Sequence, residues 1–551
     1  MNAPVLAITL DRLLRQTAER EPRRPMIAIS GAPMLDATEL VALVAAAAAR
    51  LQQFGVGPGD RVALWGQNSA AWVVWFLACA WRGAAAVALH PGLTAEELGS
   101  ALSQARSKWL VMDEFARGVS LRGVLEAASR RAADAAPEHS PPSGHAASMT
   151  LGTLRGVTVM PGGDGTPDLE AVIDRSASAP LSEADLEAVL AMLFTSGSSG
   201  RPKLVCLSQR ALIVNASATA RAARIGPADV IASPLPLHHS AGLSSGCVLS
   251  LVAGAMWCSS PRFQAATTLA QIQDHGCTVL QGVPTMFKAL IEGAGRSPQG
   301  RGSTASVATP TLRLGFVGGA PCPPDLLQQA RASLGIERLC VVYGQTEFGP
   351  TISIAHQSGE ETPAVNGVGS PIEGVDVRIV DAASGDACAP GVAGEIQVRG
   401  PSCMSGYFHD EAANAAAFAA DGWLRTGDFG RVAGGQLSID GRLKQIIIRG
   451  GENVSPSEVE AVLRDARPVA DACVVAVPSK HWGEAICAVV APAMPIATSF
   501  DVDALRRLCE ERLARYKRPD HYVVVESLPL LASGKVDRRA VQASLADREW
   551  T

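Results

Sequence analysis

One segment restricts the fold more than any other: an apolar run that ends directly in a loop of hydroxyl side chains and glycines. The run covers residues 190–194, the loop covers 195–201, and Pro202 and Lys203 follow. Glycines let backbone N–H groups approach a ligand closely, hydroxyls donate further hydrogen bonds, and a lysine adds positive charge. The segment therefore predicts a buried strand that leads into a loop suited to wrapping a polyphosphate.

Two common loop types do not fit this segment. A Walker A loop needs Gly-Lys-Ser/Thr, whereas Pro202 precedes Lys203 and Leu204 follows it. A nucleophile elbow needs Gly-x-Ser-x-Gly, which the loop lacks. A flexible Ser/Gly linker is an alternative at this point, although such a linker rarely follows an apolar run directly.

Length and composition narrow the class of protein. A chain of 551 residues exceeds the size of a single core, and 47% hydrophobic with 18% charged residues is typical of a globular enzyme. A net charge of −5 argues against a nucleic-acid binder. Twelve scattered cysteines without Cys-x-x-Cys predict a reduced, cytoplasmic protein without a metal cluster. The N-terminus does not resemble a signal peptide, and the apolar window 70–80 predicts a buried helix rather than a membrane span.

The pattern along the chain predicts α/β architecture. A helix over 38–54, a strand over 61–65 and a further helix and strand alternate in the first 110 residues, which favours a largely parallel sheet. Residues 115–180 are rich in breakers and predict a loop-rich, poorly ordered excursion. From about 374 the strands become shorter with glycine turns, and we place a domain boundary after residue 441, giving domains 1–441 and 442–551.

Further segments look unusual for purely structural roles. The pair His238–His239 follows a Pro-Leu-Pro-Leu run, and Gly318-Gly319-Ala320-Pro321 follows a predicted strand. After the next strand, 343–349 brings Thr346 and Glu347 together, and these oxygen donors suit Mg²⁺, which takes few protein ligands. Each of these segments has a plain structural interpretation as a turn when it is considered alone.

Three later segments add charged groups on glycine turns. Asp428 is the last residue of the segment 422–428. Its carboxylate is suited to accept hydrogen bonds from ribose hydroxyls. The segment 441–451 contains Arg442 and Lys444, and Lys535 lies in Ser-Gly-Lys near the end of the chain. A single lysine at such a position is usually exposed to solvent and has no specific role. The functional interpretation therefore depends on the order of all the segments.

Together and in this order, the segments resemble the adenylate-forming superfamily of acyl- and aryl-CoA synthetases, luciferases and peptide-synthetase adenylation domains. The resemblance extends from about residue 10 to 541. It implies a large N-terminal domain of parallel α/β sheets with a small β-barrel-like part, followed by a small mobile α+β domain. It also implies two half-reactions, in which ATP and a carboxylate give acyl-AMP and pyrophosphate, and a thiol then displaces AMP.

The resemblance implies roles for individual residues. The β- and γ-phosphates would be held by Thr195, Ser196, Gly197, Ser198, Ser199, Gly200 and Lys203. The remaining ATP/AMP-binding positions would be Gly319, Ala320, Pro321, Tyr343, Gly344, Asp428 and Arg442, with Tyr343 beside adenine and Asp428 and Arg442 on ribose. Glu347 would bind Mg²⁺, Thr346 would lie near the α-phosphate, and Lys535 would bridge carboxylate and phosphate oxygens.

The second half-reaction has its own implied residues. Lys444 would be the hinge, Gly450 and Gly451 would line the path of CoA, and His239 would lie at its junction with the acyl pocket. The segment around Lys444 resembles CoA ligases more than peptide-synthetase domains. We therefore expect a carboxylate–CoA ligase, a monomer or homodimer, with an acyl-carrier protein as the alternative acceptor.

The sequence restricts the identity of the substrate acid less closely. The segments expected to line the acyl pocket contain no lysine or arginine, which favours an uncharged aromatic or medium-chain aliphatic acid; they are 239–247, 282–286, 317–321 and 345–350. Leu204 and Gln209 depart from the glycine and histidine that are common in the superfamily, and they indicate a divergent member.

An amidase-like hydrolase is an alternative function, but it would leave the later motifs unexplained. A binding protein with a decayed site would not need Glu347, Asp428, Arg442 and Lys535.

Overall fold

The computed structural model describes most of the chain. The described residues are 8–134, 153–160, 173–174, 176–181, 185–195, 202–295, 311–320, 322–357, 367–449, 452–479, 482–493, 500–530, 536–546, 548 and 550. The chain divides into a large compact unit of residues 1–364, 368–376 and 399–424 and a small one of residues 365–367, 377–398 and 425–551. The domain boundary after residue 441 stays a prediction.

The helices alternate with strands through the large unit, and the last helices of the chain lie in the small unit. The helices are α1 Leu10–Arg20, α2 Ala37–Gln53, α3 Ala70–Arg82, α4 Ala95–Ala105, α5 Leu121–Asp134, α6 Gln209–Ala223, α7 Leu249–Ala253, α8 Ala265–Asp274, α9 Pro284–Gly295, α10 Pro324–Leu334, α11 Glu411–Ala417, α12 Pro456–Arg464, α13 Val502–Arg512 and α14 Arg538–Ser544. A π-helix covers Ala241–Val248, and short 3₁₀ turns cover Thr346–Phe348, Leu443–Gln445 and Arg515–Lys517.

The strands of the first half of the chain are β1 Pro25–Ile29, β2 Leu35–Asp36, β3 Arg61–Trp65, β4 Ala85–Leu89, β5 Trp109–Asp113, β6 Phe115–Ala116, β7 Val119–Ser120, β8 Gly156–Met160, β9 Val189–Thr195, β10 Lys203–Ser208, β11 Val230–Ala232, β12 Met256–Ser259 and β13 Val279–Gly282. Those of the second half are β14 Leu314–Gly318, β15 Arg338–Gly344, β16 Thr351–Gln357, β17 Gly367–Pro371, β18 Asp376–Val380, β19 Gly394–Arg399, β20 Gly406–Tyr407, β21 Leu424–Ala433, β22 Gln436–Arg442, β23 Ile447–Arg449, β24 Glu452–Val454, β25 Val469–Ser479, β26 Gly483–Pro492 and β27 His521–Val524.

Mainly parallel sheets form the large unit. One has the order β20-β10-β9-β4-β3-β5-β8, in which the run β9-β4-β3-β5-β8 is parallel and β10 and β20 add antiparallel pairings. The other contains the run β16-β15-β14-β13-β11-β12-β1, parallel from β15 to β1. The carboxyl ends of neighbouring parallel strands meet at one edge, which is where ligands bind in such sheets. The predicted α/β architecture is confirmed.

Local sequence explains why the early elements form where they do. Asp36 and Glu39 make a capping box at the start of α2, and the Ser69 hydroxyl accepts the N–H of Trp72 at the start of α3. Helix α3 is buried almost all round, and Gly83 ends it in the left-handed conformation at φ 66°. The prediction of a buried helix in this window is correct. Throughout the described ranges, every helix is too short or too polar to span a bilayer.

The small unit contains two groups of strands among its described residues. Strands β18-β19-β21-β22 follow one another in that order, with β21 antiparallel to β22. Strands β24-β23-β26-β25, with β27 on β26, form the second group. Helices α12 and α13 cover this group through buried side chains such as Val459, Leu463 and Leu505. The α+β character of this part of the chain agrees with the prediction.

The expected loop-rich excursion over 115–180 is wrong at helix α5 and at strand β8. Helix α5 packs Leu121, Leu125 and Ala128 into the same core cluster as α4. Strand β8 pairs in parallel with β5, and Gly156 is required there because a Cβ would lie 2.2 Å from the Trp109 ring. The apolar spacing of α5 was present in the sequence but was obscured by alanines and arginines. Most of the rest of 135–180 lies outside the described residues.

Asp113 is a buried carboxylate at the end of β5. One oxygen accepts the Gln67 N–H at 2.8 Å, and the other has no hydrogen-bond partner among the residues that the structure describes. Gly66 is needed beside it, since a Cβ there would lie 2.4 Å from the carboxylate. Burial raises the pKa of Asp113 to about 7 from an ordinary value of 3.8. The native state therefore binds one proton more than the unfolded chain between these two pH values.

We expect Asp113→Asn to remove a pH-dependent loss of stability. The raised pKa stabilises the folded state most below pH ~4, and this contribution is lost as the pH rises through 7, a difference of about 4 kcal/mol. The variant should exceed the wild type in thermal unfolding at pH 8, and the gap should narrow towards pH 5. Calorimetry at both pH values tests this, with Asp386→Asn on the surface as a control. An equal effect at both pH values would contradict the raised pKa.

Candidate active site

The two ends of the Ser/Gly loop are fixed by a strand pair. Strands β9 and β10 are antiparallel, and Thr195 lies opposite Lys203 in their register. The intervening Ser196, Gly197, Ser198, Ser199 and Gly200 lie outside the described residues. The loop therefore starts and ends on adjacent strands, so its lysine lies directly beside its first hydroxyl residue.

Lys203 is brought close to Glu347 through Tyr407. The short strand β20 pairs with β10, placing Tyr407 opposite Val205. The Lys203 Nζ lies 4.6 Å from the centroid of the Tyr407 ring, and the Tyr407 hydroxyl donates to Glu347 Oε1 at 2.9 Å. A cation and a carboxylate that are 144 positions apart in the numbering thus contact one phenol ring.

Thr346 and Glu347 form the 3₁₀ turn that follows β15. The Thr346 hydroxyl is 3.0 Å from the Ser240 hydroxyl, so this turn contacts the segment that follows the His pair. Glycine is required at Gly344, where a Cβ would lie 1.6 Å from the Pro350 carbonyl oxygen. The Glu347 carbonyl accepts the Met404 N–H at 2.9 Å, which fixes the turn from the other side.

The strand next to β15 brings a second predicted segment to the same edge. Gly318 pairs with Val342 in the parallel register of β14 and β15, and Gly319 turns the chain at φ 78°. Ala320 follows, while Pro321 lies outside the described residues. Tyr343, nearly buried at the end of β15, is therefore one strand away from Gly319.

The His pair is held by a buried amide that follows β3. Asn68 accepts the Leu237 N–H at 2.8 Å and donates to the Leu235 carbonyl at 2.9 Å and to Ser259 Oγ at 3.1 Å. These bonds fix the backbone on both sides of Pro236 and so place His238 and the following residue.

Three imidazoles cluster at this point. The ring centroid of His238 is 4.6 Å from that of His90 and 4.4 Å from that of His239. Burial lowers the pKa of His238 well below its usual value, and the neighbouring imidazoles lower it further. The side chain of His238 is therefore neutral at physiological pH, and its Nε2 has no hydrogen-bond partner within the described ranges.

The small unit contains a separate predicted pair. Asp428 and Arg442 face each other across β21 and β22, with Arg442 Nε 2.8 Å from Asp428 Oδ1. The Asp428 N–H donates to the Thr426 hydroxyl at 3.0 Å, and its carboxylate is 5% exposed. Lys444 lies in a 3₁₀ turn just after Arg442. Gly450, Gly451 and Lys535 lie outside the described residues.

The donor set of the large unit fits a hydrated Mg²⁺ on a phosphate chain. Mg²⁺ keeps several waters and takes one or two protein carboxylates together with substrate phosphates. Among the described residues no group of three His, Cys, Asp or Glu side chains could hold a metal ion, so an all-protein cage is absent there. One carboxylate beside a hydroxyl and a lysine matches the ligands that Mg²⁺ with ATP needs.

Sequence reasoning missed the residues that join the predicted ones. Tyr407, Ser240, Asn68 and His90 come from separate elements and contact the predicted site only in the fold. Gly406–Tyr407 is too short a strand to give a periodic signal. No local pattern in the sequence would have identified Tyr407.

This fold, with these residues at the strand ends, defines the class of adenylate-forming enzymes. The chain belongs to the family of AMP-binding enzymes: the family profile matches residues 14–408, and the profile of the AMP-binding enzyme C-terminal domain matches 458–535. The predicted membership of the adenylate-forming superfamily is confirmed. Family membership agrees with an AMP-forming acid–thiol ligase.

Individual relatives cover almost the whole chain. A Mycobacterium tuberculosis CoA ligase named for a methyl-dioxo-octahydroindenyl propanoyl group is 34% identical, with 96% of each chain covered. The ATP-bound structure of MatB from Rhodopseudomonas palustris is 25% identical, with a TM-score of 0.80 and coverage of 98% and 99%. An o-succinylbenzoate CoA synthetase from Bacillus subtilis, in complex with its acyl-adenylate intermediate, is 28% identical, with a TM-score of 0.76 and 98% of each chain covered.

We expect Asn68→Asp to destabilise the large unit. The substitution keeps the acceptor for the Leu237 N–H but removes the two N–H donors, and it leaves the Leu235 carbonyl opposite a buried negative charge. The loss should be about 2–4 kcal/mol in the free energy of unfolding, measured by chemical denaturation. Gln53→Glu, on the exposed side of α2, makes the same chemical change and should have little effect. An Asn68→Asp variant with the same free energy of unfolding as the wild type would show that the amide does not hold these segments together.

Proposed function

We propose that the protein is an ATP-dependent carboxylate–CoA ligase that forms acyl-AMP and then acyl-CoA. The observation that carries the proposal is the grouping of Lys203, Tyr407 and Glu347 beside the two ends of the Ser/Gly loop. Phosphoryl and adenylyl transfer require charge neutralisation and positioning more than covalent help from the protein. A lysine and a carboxylate at adjoining strand ends supply both requirements.

In the first half-reaction a substrate carboxylate oxygen attacks the α-phosphorus of ATP. A new O–P bond forms, the bond to the β-phosphate oxygen breaks, and pyrophosphate leaves with the bonding electrons. Thr195, the loop residues and Lys203 hold the β- and γ-phosphates, and the Thr346 hydroxyl lies near the α-phosphate. When bound, Mg²⁺ supplies positive charge to the leaving phosphates, and the Glu347 carboxylate holds it there.

The nucleoside is bound by other residues. Tyr343 flanks adenine, with Gly319, Ala320, Pro321 and Gly344 around it. Asp428 accepts hydrogen bonds from the ribose hydroxyls, and its ion pair with Arg442 fixes the carboxylate for that purpose. Lys535 bridges the attacking carboxylate and the α-phosphate, which adds positive charge where negative charge develops.

In the second half-reaction the CoA thiolate attacks the acyl carbon, and AMP leaves. Lys444 is the hinge about which the C-terminal domain turns, and Gly450 and Gly451 line the path of the pantetheine. His239 lies where that path meets the acyl pocket.

The substrate we propose is an uncharged aromatic or medium-chain aliphatic acid. The segments 239–247, 282–286, 317–321 and 345–350 contain no lysine or arginine to pair with a second carboxylate. The named group of the Mycobacterium tuberculosis ligase, a fused ring system with keto groups, is of this uncharged kind.

The test is pyrophosphate release with ATP and Mg²⁺ across aryl, medium-chain and long-chain acids, with and without CoA. We expect acid-dependent release that turns over only with CoA and gives an acyl-CoA product. Release that stops after one equivalent despite CoA would favour an acyl-carrier protein as acceptor. No release with any acid would overturn the proposed function.

We expect Lys535→Ala to separate the two half-reactions. Adenylation of free acid should fall by a factor of at least ~100, because the charge that stabilises the transition state is lost. Transfer from supplied acyl-AMP to CoA should stay within a few-fold of the wild type. Single-turnover assays of each half-reaction measure both rates, and equal losses would contradict the assignment of Lys535 to adenylation alone.

A further inference from the structure

We propose that Tyr407 is a positioning residue that holds the Glu347 carboxylate and the Lys203 ammonium apart, so that both face the magnesium–ATP complex. The inference rests on the proposed function, because that function gives the two charged groups their ligands. It concerns a residue that contacts these groups directly and that no motif identifies.

The backbone of Tyr407 is fixed from two sides. Strand β20 pairs with β10, the strand that begins at Lys203. The Asn414 side chain accepts the Tyr407 N–H at 2.6 Å and donates to the Tyr407 carbonyl at 2.9 Å. Gly406 makes room for this amide, since a Cβ would lie 2.9 Å from Asn414 Oδ1. A ring held this firmly can set the positions of side chains that contact it.

The hydroxyl determines how Glu347 presents its two oxygens. It donates to Oε1, which leaves Oε2 as the oxygen for a cation. A tyrosine hydroxyl ordinarily has a pKa of about 10, so the phenol is protonated at physiological pH and serves as the donor. The carboxylate is therefore held in one orientation before any ligand arrives.

The ring face determines where Lys203 lies. Its ammonium sits 4.6 Å from the ring centroid, within the range of a cation–π interaction. Lys203 and Glu347 both lie in the described part of the chain, and no ion pair joins them there. The phenol between them keeps two opposite charges from neutralising each other, so the lysine stays available to phosphate and the carboxylate to the metal.

Tyr407→Phe separates the two roles, because it keeps the ring and removes the hydroxyl. We expect the affinity of the ATP-loaded protein for Mn²⁺, followed by the EPR signal of the free ion, to fall about tenfold. Binding of ATP in EDTA, measured by calorimetry, should be unchanged because the ring still contacts Lys203. Tyr407→Leu should lose the same metal affinity and also weaken ATP binding in EDTA several-fold.

Tyr522→Phe is the matched control. Its hydroxyl is hydrogen-bonded to Cys509, and the Arg506 guanidinium lies 5.3 Å from its ring centroid, so its surroundings resemble those of Tyr407. It lies on β27, in the small unit. This variant should change neither Mn²⁺ nor ATP binding. Thermal unfolding of every variant shows whether the fold is intact.

A double-mutant cycle with Glu347→Gln tests whether Tyr407 acts through that carboxylate. If it does, Tyr407→Phe should cost almost nothing further in Mn²⁺ affinity once Glu347 is replaced. Fully additive losses, or an unchanged Mn²⁺ affinity in Tyr407→Phe alone, would overturn the inference. A chain that shows the predicted Mn²⁺ effect but makes no acyl-CoA with any acid would overturn the proposed function and leave this inference standing.

Discussion

The buried amide of Asn68 connects the sheet that contains β3 to the sheet that contains β12, at the edge where the candidate site lies. Asn68 follows β3 of one sheet, and it bonds to Ser259 of β12 in the other and to the backbone before the His pair. A buried amide is favourable only when its donors and acceptor are satisfied, so the three partners fix one another. The Ser240 hydroxyl contacts the Thr346 hydroxyl, which connects the segment held by Asn68 to the turn that contains Glu347.

In the function that we propose, the same edge must keep a lysine and a carboxylate from pairing with each other. A site for ATP needs positive charge for phosphates and a carboxylate for the metal, yet such groups pair with each other when no ligand is present. Tyr407 contacts both and is itself neutral, since burial and the Glu347 charge oppose its ionisation. The Asp428–Arg442 pair shows the opposite arrangement, in which a direct ion pair orients the carboxylate. The two arrangements agree with the different partners that we propose for these carboxylates, a metal for Glu347 and ribose hydroxyls for Asp428.

Sequence patterns worked best where local physics decides the structure. Strand β3 has the predicted bounds, and α2 lies within a residue of them, because a capping box, an apolar run and a glycine stop mark their ends. The pattern failed at α5, where scattered Leu121 and Leu125 form a face only against α4. The roles assigned to Lys535, Gly450 and Gly451 stay predictions, as do those of the other site residues, since they rest on residue chemistry and family resemblance.

The sequence by itself determined the α/β class and the family, and it identified the segments to which we assign the chemistry, because each depends on residues close together along the chain. Tertiary structure decided which residues meet. Tyr407 reaches Glu347 and Lys203 only because β20 adds to β10, and His90 reaches His238 only because separate strand ends converge. Such contacts join residues tens to hundreds of positions apart, and no local propensity or spacing encodes them; the pairing of strands and the burial of their side chains bring them about.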